Sequence, residues 1–239
     1  SRWPEYRLSW SKSLLLVSEA SEMLDELADL DLEHLQSNEP TILSIVRLQL
    51  LSSSRQRNVI RRWLEKLGLP DLGWNRLHHF ASEFVVTDKQ SDSSLTIEGN
   101  TFACYQDHLY LLPKLGAPQE SVVWQVNDSA ELELVNNGSL LAKEVSTGGL
   151  ARSFSDKIEI RFRQGGESCR LVGRPTKSLK KILQEAHIEP WLRDRVPLLY
   201  RDEELICIPG IGVCEHAAVK SGETGIEVIW QRPVAESLS

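Results

Sequence analysis

The 239-residue chain lacks the patterns that identify several large classes of protein. No apolar run approaches the roughly 18 residues that a membrane-spanning helix requires, so we expect no membrane segment. Its four cysteines form neither the close pairs of a zinc site nor a dense disulfide framework, and its six histidines have no metal-ligand spacing. We therefore predict a protein without a metal site that resides in the reducing cytoplasm.

Motifs for catalysis are equally scarce. The sequence has no Gly-x-x-x-x-Gly-Lys or Gly-x-Gly-x-x-Gly nucleotide loop and no Gly-x-Ser-x-Gly hydrolase motif. The glycines of residues 163–168 favour a hairpin turn over a phosphate-binding loop, and the acids of residues 202–204 favour a charged turn over a catalytic carboxylate pair. We predict no catalytic residue and no cofactor within this chain.

The beginning of the sequence also lacks expected features. The first residue is Ser1, the single methionine is Met23, and no basic and apolar leader is present. We therefore expect the sequence to be a piece of a longer protein.

Charge is distributed unevenly along the chain, whose net charge is −7. Residues 1–40 contain nine acids and three bases, whereas residues 157–201 contain eleven bases and five acids. Phosphate binding requires a positive surface, so the net charge argues against a nucleic-acid partner while the second segment favours one. An RNA-binding surface is therefore expected chiefly in residues 157–201.

The first third of the chain has helical periodicity. A long first helix is predicted from the spacing of Leu16, Ala20, Met23, Leu27 and Leu30, with its acids on a solvated face. A second helix is predicted from a capping-box pattern at residues 53–56 to a glycine stop at 68, and a third begins near residue 75 and ends at the polar loop 87–94.

Beyond residue 94 the pattern changes to that of short antiparallel strands, with one helix predicted between Lys177 and His187. Strands are predicted at residues 95–97, 102–105, 109–112, 122–126, 132–135, 158–162, 205–208 and 226–230. Turn residues at 116–119 are the best linker, which gives one domain over residues 1–115 and a second over 121–239. The predicted fold class is α+β: an N-terminal all-helical domain with a small β-hairpin, then a mixed α+β C-terminal domain with one main helix.

The predicted helix of residues 177–187 has a cationic row beside an apolar one. For a lone helix, a solvated lysine face is the simpler interpretation. Arginines before and after this helix favour one continuous basic surface instead. The candidate RNA contacts of this region are Arg170, Arg174, Lys177, Lys180, Lys181, Arg193 and Arg195.

The second helix supplies three further candidates, Arg55, Arg61 and Arg62. Contact with RNA phosphates and pairing with nearby acids, such as Glu65 four positions after Arg61, explain these arginines equally well. Trp191 is predicted to be a core residue in preference to a base-stacking one.

The motifs of the basic segment resemble a known family. They are Gly173-Arg174, Leu179-Lys180-Lys181, Pro190-Trp191-Leu192-Arg193-Asp194 and Pro197-Leu198-Leu199. This set resembles the C-terminal domain of the bacterial tRNA(Ile)-lysidine synthetases. Three earlier segments resemble the helical domain that precedes this C-terminal domain in the family. They are Arg2-Trp3-Pro4, residues 23–32 and Ile60-Arg61-Arg62-Trp63-Leu64.

The resemblance implies a portion of a C–N bond-forming ligase that uses ATP, with magnesium, and free lysine. This enzyme converts the wobble cytidine of an isoleucine tRNA with a CAU anticodon to lysidine. In the family that chemistry belongs to an N-terminal catalytic domain with a Ser-Gly-Gly-x-Asp-Ser loop, which this sequence does not contain. We therefore expect the chain to be inactive alone and to hold the isoleucine tRNA for its own N-terminal catalytic domain.

The same resemblance singles out four contact residues, because Arg174, Lys180, Lys181 and Arg193 match the family pattern. Asp194 is expected to orient Arg193. The alternative interpretation is a structural or protein-docking module with a basic surface and no RNA role.

Overall fold

A computed structural model of the chain describes residues 4–37, 39–86, 94–127, 129–220 and 222–233, with side chains from residue 9 onward. The chain divides into two compact units, one reaching Pro113 and the other beginning at Lys114. Arg2, Trp3 and residues 87–93 of the predicted polar loop lie outside the described ranges. Every helix within those ranges is either too short or too polar to span a membrane.

The described part of unit 1 packs four α-helices against a four-stranded antiparallel sheet of order β1-β4-β3-β2. The helices are α1 Pro4–Leu35, α2 Ile45–Gln49, α3 Ser53–Lys66 and α4 Gly73–Ala81, and α4 continues into a π-helical turn, Ser82–Val86. The strands are β1 Ile42–Ser44, β2 Ser94–Ile97, β3 Asn100–Tyr105 and β4 His108–Leu111. The strands predicted between residues 95 and 112 are confirmed, and β1 extends their sheet.

The core of unit 1 is aromatic. Trp63, Phe80 and Phe102 are fully buried, and the rings of Phe80 and Phe102 meet edge to face with centroids 4.9 Å apart. Burial of the Trp63 indole requires a partner for its N–H group, which donates to the carbonyl of Pro40 at 2.7 Å. The apolar face of α3 therefore anchors the unit, as its spacing predicts.

Two local predictions for unit 1 are wrong. The capping box is absent: Ser52 is the N-cap of α3, and the buried Gln56 side chain donates to the carbonyl of Leu51 at 2.9 Å. The apolar stripe predicted for α1 points to solvent, since Leu16 and Met23 are 65% and 63% exposed. The buried face of α1 is confined to its last two turns and is centred on Leu32.

The described part of unit 2 contains the helix α5, Leu179–Glu185, and three antiparallel sheets. Their orders are β13-β12-β11-β8-β5, β14-β7-β6 and β10-β9. The strands are β5 Ser121–Trp124, β6 Glu131–Glu133, β7 Ser139–Val145, β8 Ile158–Arg161, β9 Ser168–Cys169, β10 Lys177–Ser178, β11 Leu198–Arg201, β12 Glu204–Ile208, β13 Gly212–Val213 and β14 Gly225–Gln231. Short 3-10 helices lie at Arg152–Phe154, Pro190–Arg195 and Glu215–Ala217.

Unit 2 has two apolar cores. One contains Trp124, Ile158 and Leu140, which belong to the five-stranded and three-stranded sheets. The other contains the apolar face of α5, which buries Leu179, Ile182 and Leu183 beside residues of β11, β12 and the 3-10 helix of Pro190–Arg195. The fold class predicted from the sequence is confirmed.

Two details of unit 2 differ from prediction. Lys177 lies in β10 and not in the helix, which begins at Leu179. The hairpin predicted at residues 163–168 is wrong, because β8 before this loop belongs to the five-stranded sheet and β9 after it pairs with β10.

Candidate nucleic-acid interface

Four of the predicted RNA contacts follow one another along a turn, β10 and α5. Gly173 has a φ of +70°, which favours glycine, and the N–H group of Arg174 donates to the carbonyl of Leu171 at 3.0 Å to close the turn. Strand β10 then pairs with β9, and Ser178 is the N-cap of α5. We call Arg174, Lys177, Lys180 and Lys181 the α5 cluster.

Glu185 is the carboxylate that faces the α5 cluster. The Lys177 ammonium contacts its two oxygens at 2.8 and 2.7 Å. This hydrogen bond, aided by the charges of Lys177, Lys181 and Arg174, holds the pKa of Glu185 below its usual value. Three members of the cluster therefore lie within electrostatic reach of one carboxylate.

The α5 cluster has more positive charge than its neighbours neutralise. Arg174, Lys180 and Lys181 are exposed, and within the described part of the chain none of the three forms a salt bridge. Lys180 and Lys181 occupy successive positions of the helix, and Gln184 is exposed one turn later. The positive charges of these side chains repel one another, and a bound polyanion would reduce that repulsion.

Arg170 and Arg193, which lie before and after the α5 cluster in the sequence, differ in exposure and in hydrogen-bond partners. The Arg170 guanidinium pairs with Glu215 at 2.8 Å on an exposed surface, where such pairs contribute roughly 0–1 kcal/mol and exchange readily for another anion. Arg193 is half-buried, and its Nε donates to the carbonyl of Ile188 at 2.9 Å. Asp194, which was predicted to orient Arg193, accepts a hydrogen bond from the guanidinium of Arg163 at 3.0 Å.

Arg195 acts as a cross-link within unit 2. Its guanidinium donates to the carbonyls of Leu115, Gly116 and Asn136 at 3.1, 2.6 and 3.1 Å. Burial lowers the pKa of Arg195. Its donors are therefore engaged with the backbone of Leu115, Gly116 and Asn136, apart from the α5 cluster.

Three arginines of α3 form ion pairs with aspartates of α1. Arg62 makes a two-bond fork to Asp29, at 2.9 and 2.8 Å, and Lys66 contacts the same carboxylate at 2.9 Å. The hydrogen bond from Arg62, with that from Lys66, lowers the pKa of Asp29, and the same fork raises the pKa of Arg62. The prediction of a solvated acidic face on α1 is therefore wrong at Asp29.

Two other aspartates of α1 take part in the same helix pairing. Arg55 pairs with Asp31, which is buried, and this contact raises the pKa of Arg55. Arg61 pairs with Asp25 and, as predicted, with Glu65. The guanidinium groups proposed from the sequence as phosphate contacts thus already bind carboxylates.

The loop of residues 163–168 binds an anion supplied by the chain itself. One carboxylate oxygen of Glu167 accepts hydrogen bonds from the backbone N–H groups of Gln164 and Gly165, at 2.5 and 2.9 Å. Burial opposes ionisation of Glu167, but these backbone donors hold its pKa below the usual value. The loop therefore offers no vacant backbone cradle to a phosphate.

The acidic turn of residues 202–204 borders a groove of about 500 Å³. Arg161 binds both oxygens of Glu203 at 2.5 and 2.6 Å and lowers the pKa of that carboxyl, which explains the acids as a charged turn, as predicted. The groove is also lined by Glu120, Glu159 and Glu167. Its acidic lining disfavours phosphate, and no group of residues suited to a metal ion occurs in the described part of the chain.

One exposed cluster of unit 1 was not predicted. Trp74 of α4 is 67% exposed, and its ring stacks on that of His78, with centroids 5.3 Å apart and planes 7° from parallel. The guanidinium of Arg57 lies 6.0 Å from the centroid of the Trp74 ring. Helical spacing hides this site, because Trp74 lies three positions before the buried Leu77 and therefore looks like a core residue.

Comparison with known proteins places these features in a family. Residues 43–110 match the family model described as the TilS substrate binding domain, and residues 158–230 match the TilS substrate C-terminal domain. A protein of Coxiella burnetii named tRNA(Ile)-lysidine synthase is 34% identical over 97% of this chain and 52% of its own length. The protein of the same name from Escherichia coli O157:H7 is 33% identical over 97% of this chain and 53% of its own length.

A solved structure called "Crystal structure of TILS C-terminal domain" is similar over 48% of this chain and 100% of its own, with 20% identity and a TM-score of 0.37. The chain spans about half the length of the curated relatives it matches. The family models and the curated relatives agree with each other. The chain belongs to the tRNA(Ile)-lysidine synthase family and corresponds to its substrate-binding and C-terminal domains.

Proposed function

We propose that this chain is the tRNA-binding portion of the ligase that converts the wobble cytidine of isoleucine tRNA with a CAU anticodon to lysidine. The observation that carries the proposal is the α5 cluster, in which one of four cations, Lys177, has a carboxylate partner among the described residues of a chain of net charge −7. An uncompensated basic surface on an acidic protein is selective for a polyanion. The names of the relatives supply the identity of that polyanion.

The proposed contacts are to phosphate and ribose and not to base edges. Arg174, Lys180 and Lys181 would neutralise phosphates directly, and Lys177 and Arg170 would do so by leaving the carboxylates of Glu185 and Glu215. Lysines act as point charges toward phosphate, while the planar arginine fork fixes orientation. Recognition of an RNA helix would then depend on the shape of the backbone.

The other predicted contacts receive structural roles in this proposal. Arg55, Arg61 and Arg62 join α3 to α1, and Arg195 binds the backbone of Leu115 and Gly116. We propose Arg193 as a marginal contact, because only part of its side chain is exposed. The two tRNA-recognition domains proposed are residues 1–115 and 121–239, with the grip chiefly in the second.

The activity of the whole protein is part of the same proposal. We infer that ATP with magnesium and lysine are used by the portion of the relatives that this chain does not match, and that this catalytic domain is its partner in the cytoplasm. This fragment alone would then bind tRNA and leave ATP unhydrolysed. ATP turnover by the isolated chain would contradict that division.

A salt titration of tRNA binding tests the proposal. The full chain should bind an isoleucine tRNA transcript with an affinity that falls as salt rises, and Lys180→Ala with Lys181→Ala should reduce the slope of log Kd against log salt by roughly 1.5, about 0.7–0.9 per phosphate contact. Lys180→Glu with Lys181→Glu should weaken binding further, because it reverses both charges.

The matched control is Lys143→Glu with Lys220→Glu. Both lysines are exposed in unit 2, lie outside the α5 cluster and give the same change in net charge. If the control pair weakens binding as much as the Lys180 and Lys181 pair, only net charge matters and the α5 cluster is not the site. Capture of an acidic protein without RNA, and no salt-dependent tRNA binding, would favour the docking module instead.

A further inference from the structure

We propose that Trp74, together with His78 and Arg57, forms a stacking site for an unpaired nucleobase of the bound RNA. The inference rests on the proposed function for the identity of the ligand as RNA. It assigns unit 1 a contact of a different physical kind from the phosphate contacts of the α5 cluster.

The exposure of Trp74 is the first argument. An indole that is 67% exposed forgoes most of the free energy that burial of so large an apolar side chain provides. The following helix positions, Leu77 and Phe80, are buried, so α4 contributes to the core without Trp74. The folded unit therefore does not require this indole, whereas a flat partner would cover it.

The geometry of the rings is the second argument. Trp74 and His78 are one helical turn apart, and their planes differ by only 7° at a centroid separation of 5.3 Å. Two aromatic rings already parallel on a helix form a platform that a third flat ring extends without further ordering. Stacking on aromatic side chains is the usual way in which proteins bind unpaired bases.

The third argument is the exceptional state of Arg57. Arg55, Arg61 and Arg62 on the same helix all pair with aspartates of α1, but Arg57 forms no salt bridge within the described residues and lies beside the Trp74 ring. A guanidinium in this place stacks on a base plane or neutralises the phosphate of the same nucleotide.

The surroundings favour RNA over a protein partner. Apart from Trp74 and His78, the exposed side chains of α4 are polar: they are Asn75, His79 and Arg76, which is paired with Glu98. A hot spot for protein docking is normally an aromatic residue at the centre of an apolar, desolvated patch. Here one aromatic pair lies among polar side chains and beside the guanidinium of Arg57, which suits a nucleotide.

The test compares Trp74→Ala and Trp74→Phe in the full chain, with the isoleucine tRNA transcript and with a fully paired RNA duplex as probes. We expect Trp74→Ala to weaken tRNA binding about tenfold, within the range found when a stacked aromatic is truncated. Trp74→Phe should retain most of the affinity, and the duplex should bind both variants as it binds the unsubstituted chain. The salt slope should stay unchanged, because no charge is removed.

Leu50→Ala is the matched control, since Leu50 is 83% exposed in the same unit and lies outside the cluster. Unchanged tRNA affinity in Trp74→Ala, alongside loss in Lys180→Glu with Lys181→Glu, would overturn the stacking site and leave the proposed function standing. An equal loss on tRNA and duplex would also overturn it. Absence of salt-dependent tRNA binding by the unsubstituted chain would refute both, and loss of a protein partner alone would assign Trp74 to docking.

Discussion

The ion pair between Asp29 of α1 and Arg62 of α3 gives the sharpest prediction about stability. Replacing Asp29 with alanine removes a two-bond fork to Arg62 and a contact to Lys66. The side chains of Asp29, Arg62 and Lys66 are 34%, 23% and 46% exposed, so solvent screens both interactions. Exposed pairs contribute about 0.2–1 kcal/mol each, and fork geometry places the Arg62 pair near the upper limit.

We therefore expect Asp29→Ala to lower the free energy of unfolding by about 1–1.5 kcal/mol, or about 4 °C in the midpoint of thermal unfolding. The assay is urea unfolding followed by far-ultraviolet circular dichroism, whose helical signal comes mainly from unit 1. Glu26→Ala is the matched control, because Glu26 is an exposed acid of the same helix. A double-mutant cycle with Arg62→Ala should give a coupling energy of about 0.5–1 kcal/mol.

Two results would refute this reasoning. A coupling energy near zero, or a loss in Asp29→Ala no larger than in Glu26→Ala, would mean that the fork does not hold α1 to α3. The same variant also tests the role of the α3 arginines, because it releases Arg62 and Lys66 from their carboxylate. If these cations contacted RNA, Asp29→Ala would tighten tRNA binding, whereas a purely structural role leaves it unchanged.

Two further predictions concern the backbone and pH. Gly138 has a φ of +74°, and a Cβ added there would lie 2.0 Å from the carbonyl oxygen of Gln231, so Gly138→Ala should lower the free energy of unfolding in urea by more than about 2 kcal/mol. Gly148 has a φ of +73° but open space around it, so Gly148→Ala should lower that free energy by about 1 kcal/mol. Equal losses in the two variants would contradict the clash. The pKa values of Asp29 and Glu203 lie below their ordinary 3.8 and 4.5, so the stability they contribute is full above pH 4.5 and is lost as pH falls through the lower folded values. The midpoint temperature of thermal unfolding should therefore decrease as the pH is lowered below about 4.5. A midpoint temperature that rises on acidification would show that these ion pairs do not stabilise the fold.

Sequence periodicity predicts α5 well and α1 poorly for one physical reason. A helix that packs one face along its whole length shows that face in its spacing, as Leu179, Ile182 and Leu183 do. Only the last two turns of α1 bury apolar side chains, so the apolar residues of its earlier turns, such as Leu16, carry no information about the core. Apolar spacing is present in both helices, but the apolar side chains are buried only where another element packs against the helix.

The α1–α3 pairs and the contact of Arg57 with Trp74 were beyond prediction because each joins residues of two different helices. Asp29 and Arg62 are 33 residues apart, and nothing in either helix specifies its neighbour. Strand β1 is three residues long, too short to show a two-residue period, and its pairing with β4 becomes visible only in the fold. Local patterns specify elements, whereas partners across the fold depend on how those elements pack.

The same distinction decides how charge should be interpreted. Residues 157–201 contain six more bases than acids, yet Arg161, Arg163 and Arg201 in that segment are each bound to a carboxylate. In unit 1, the aspartates of α1 pair with Arg55, Arg61 and Arg62 of α3, so these three arginines present little free positive charge. What can attract a phosphate is the charge that folding leaves without a partner, which in residues 157–201 includes the exposed side chains of Arg174 and the two adjacent lysines of α5. A count along the sequence finds the correct segment, and the ion pairs of the fold then reduce eleven candidate cations to a small surface that two substitutions can test.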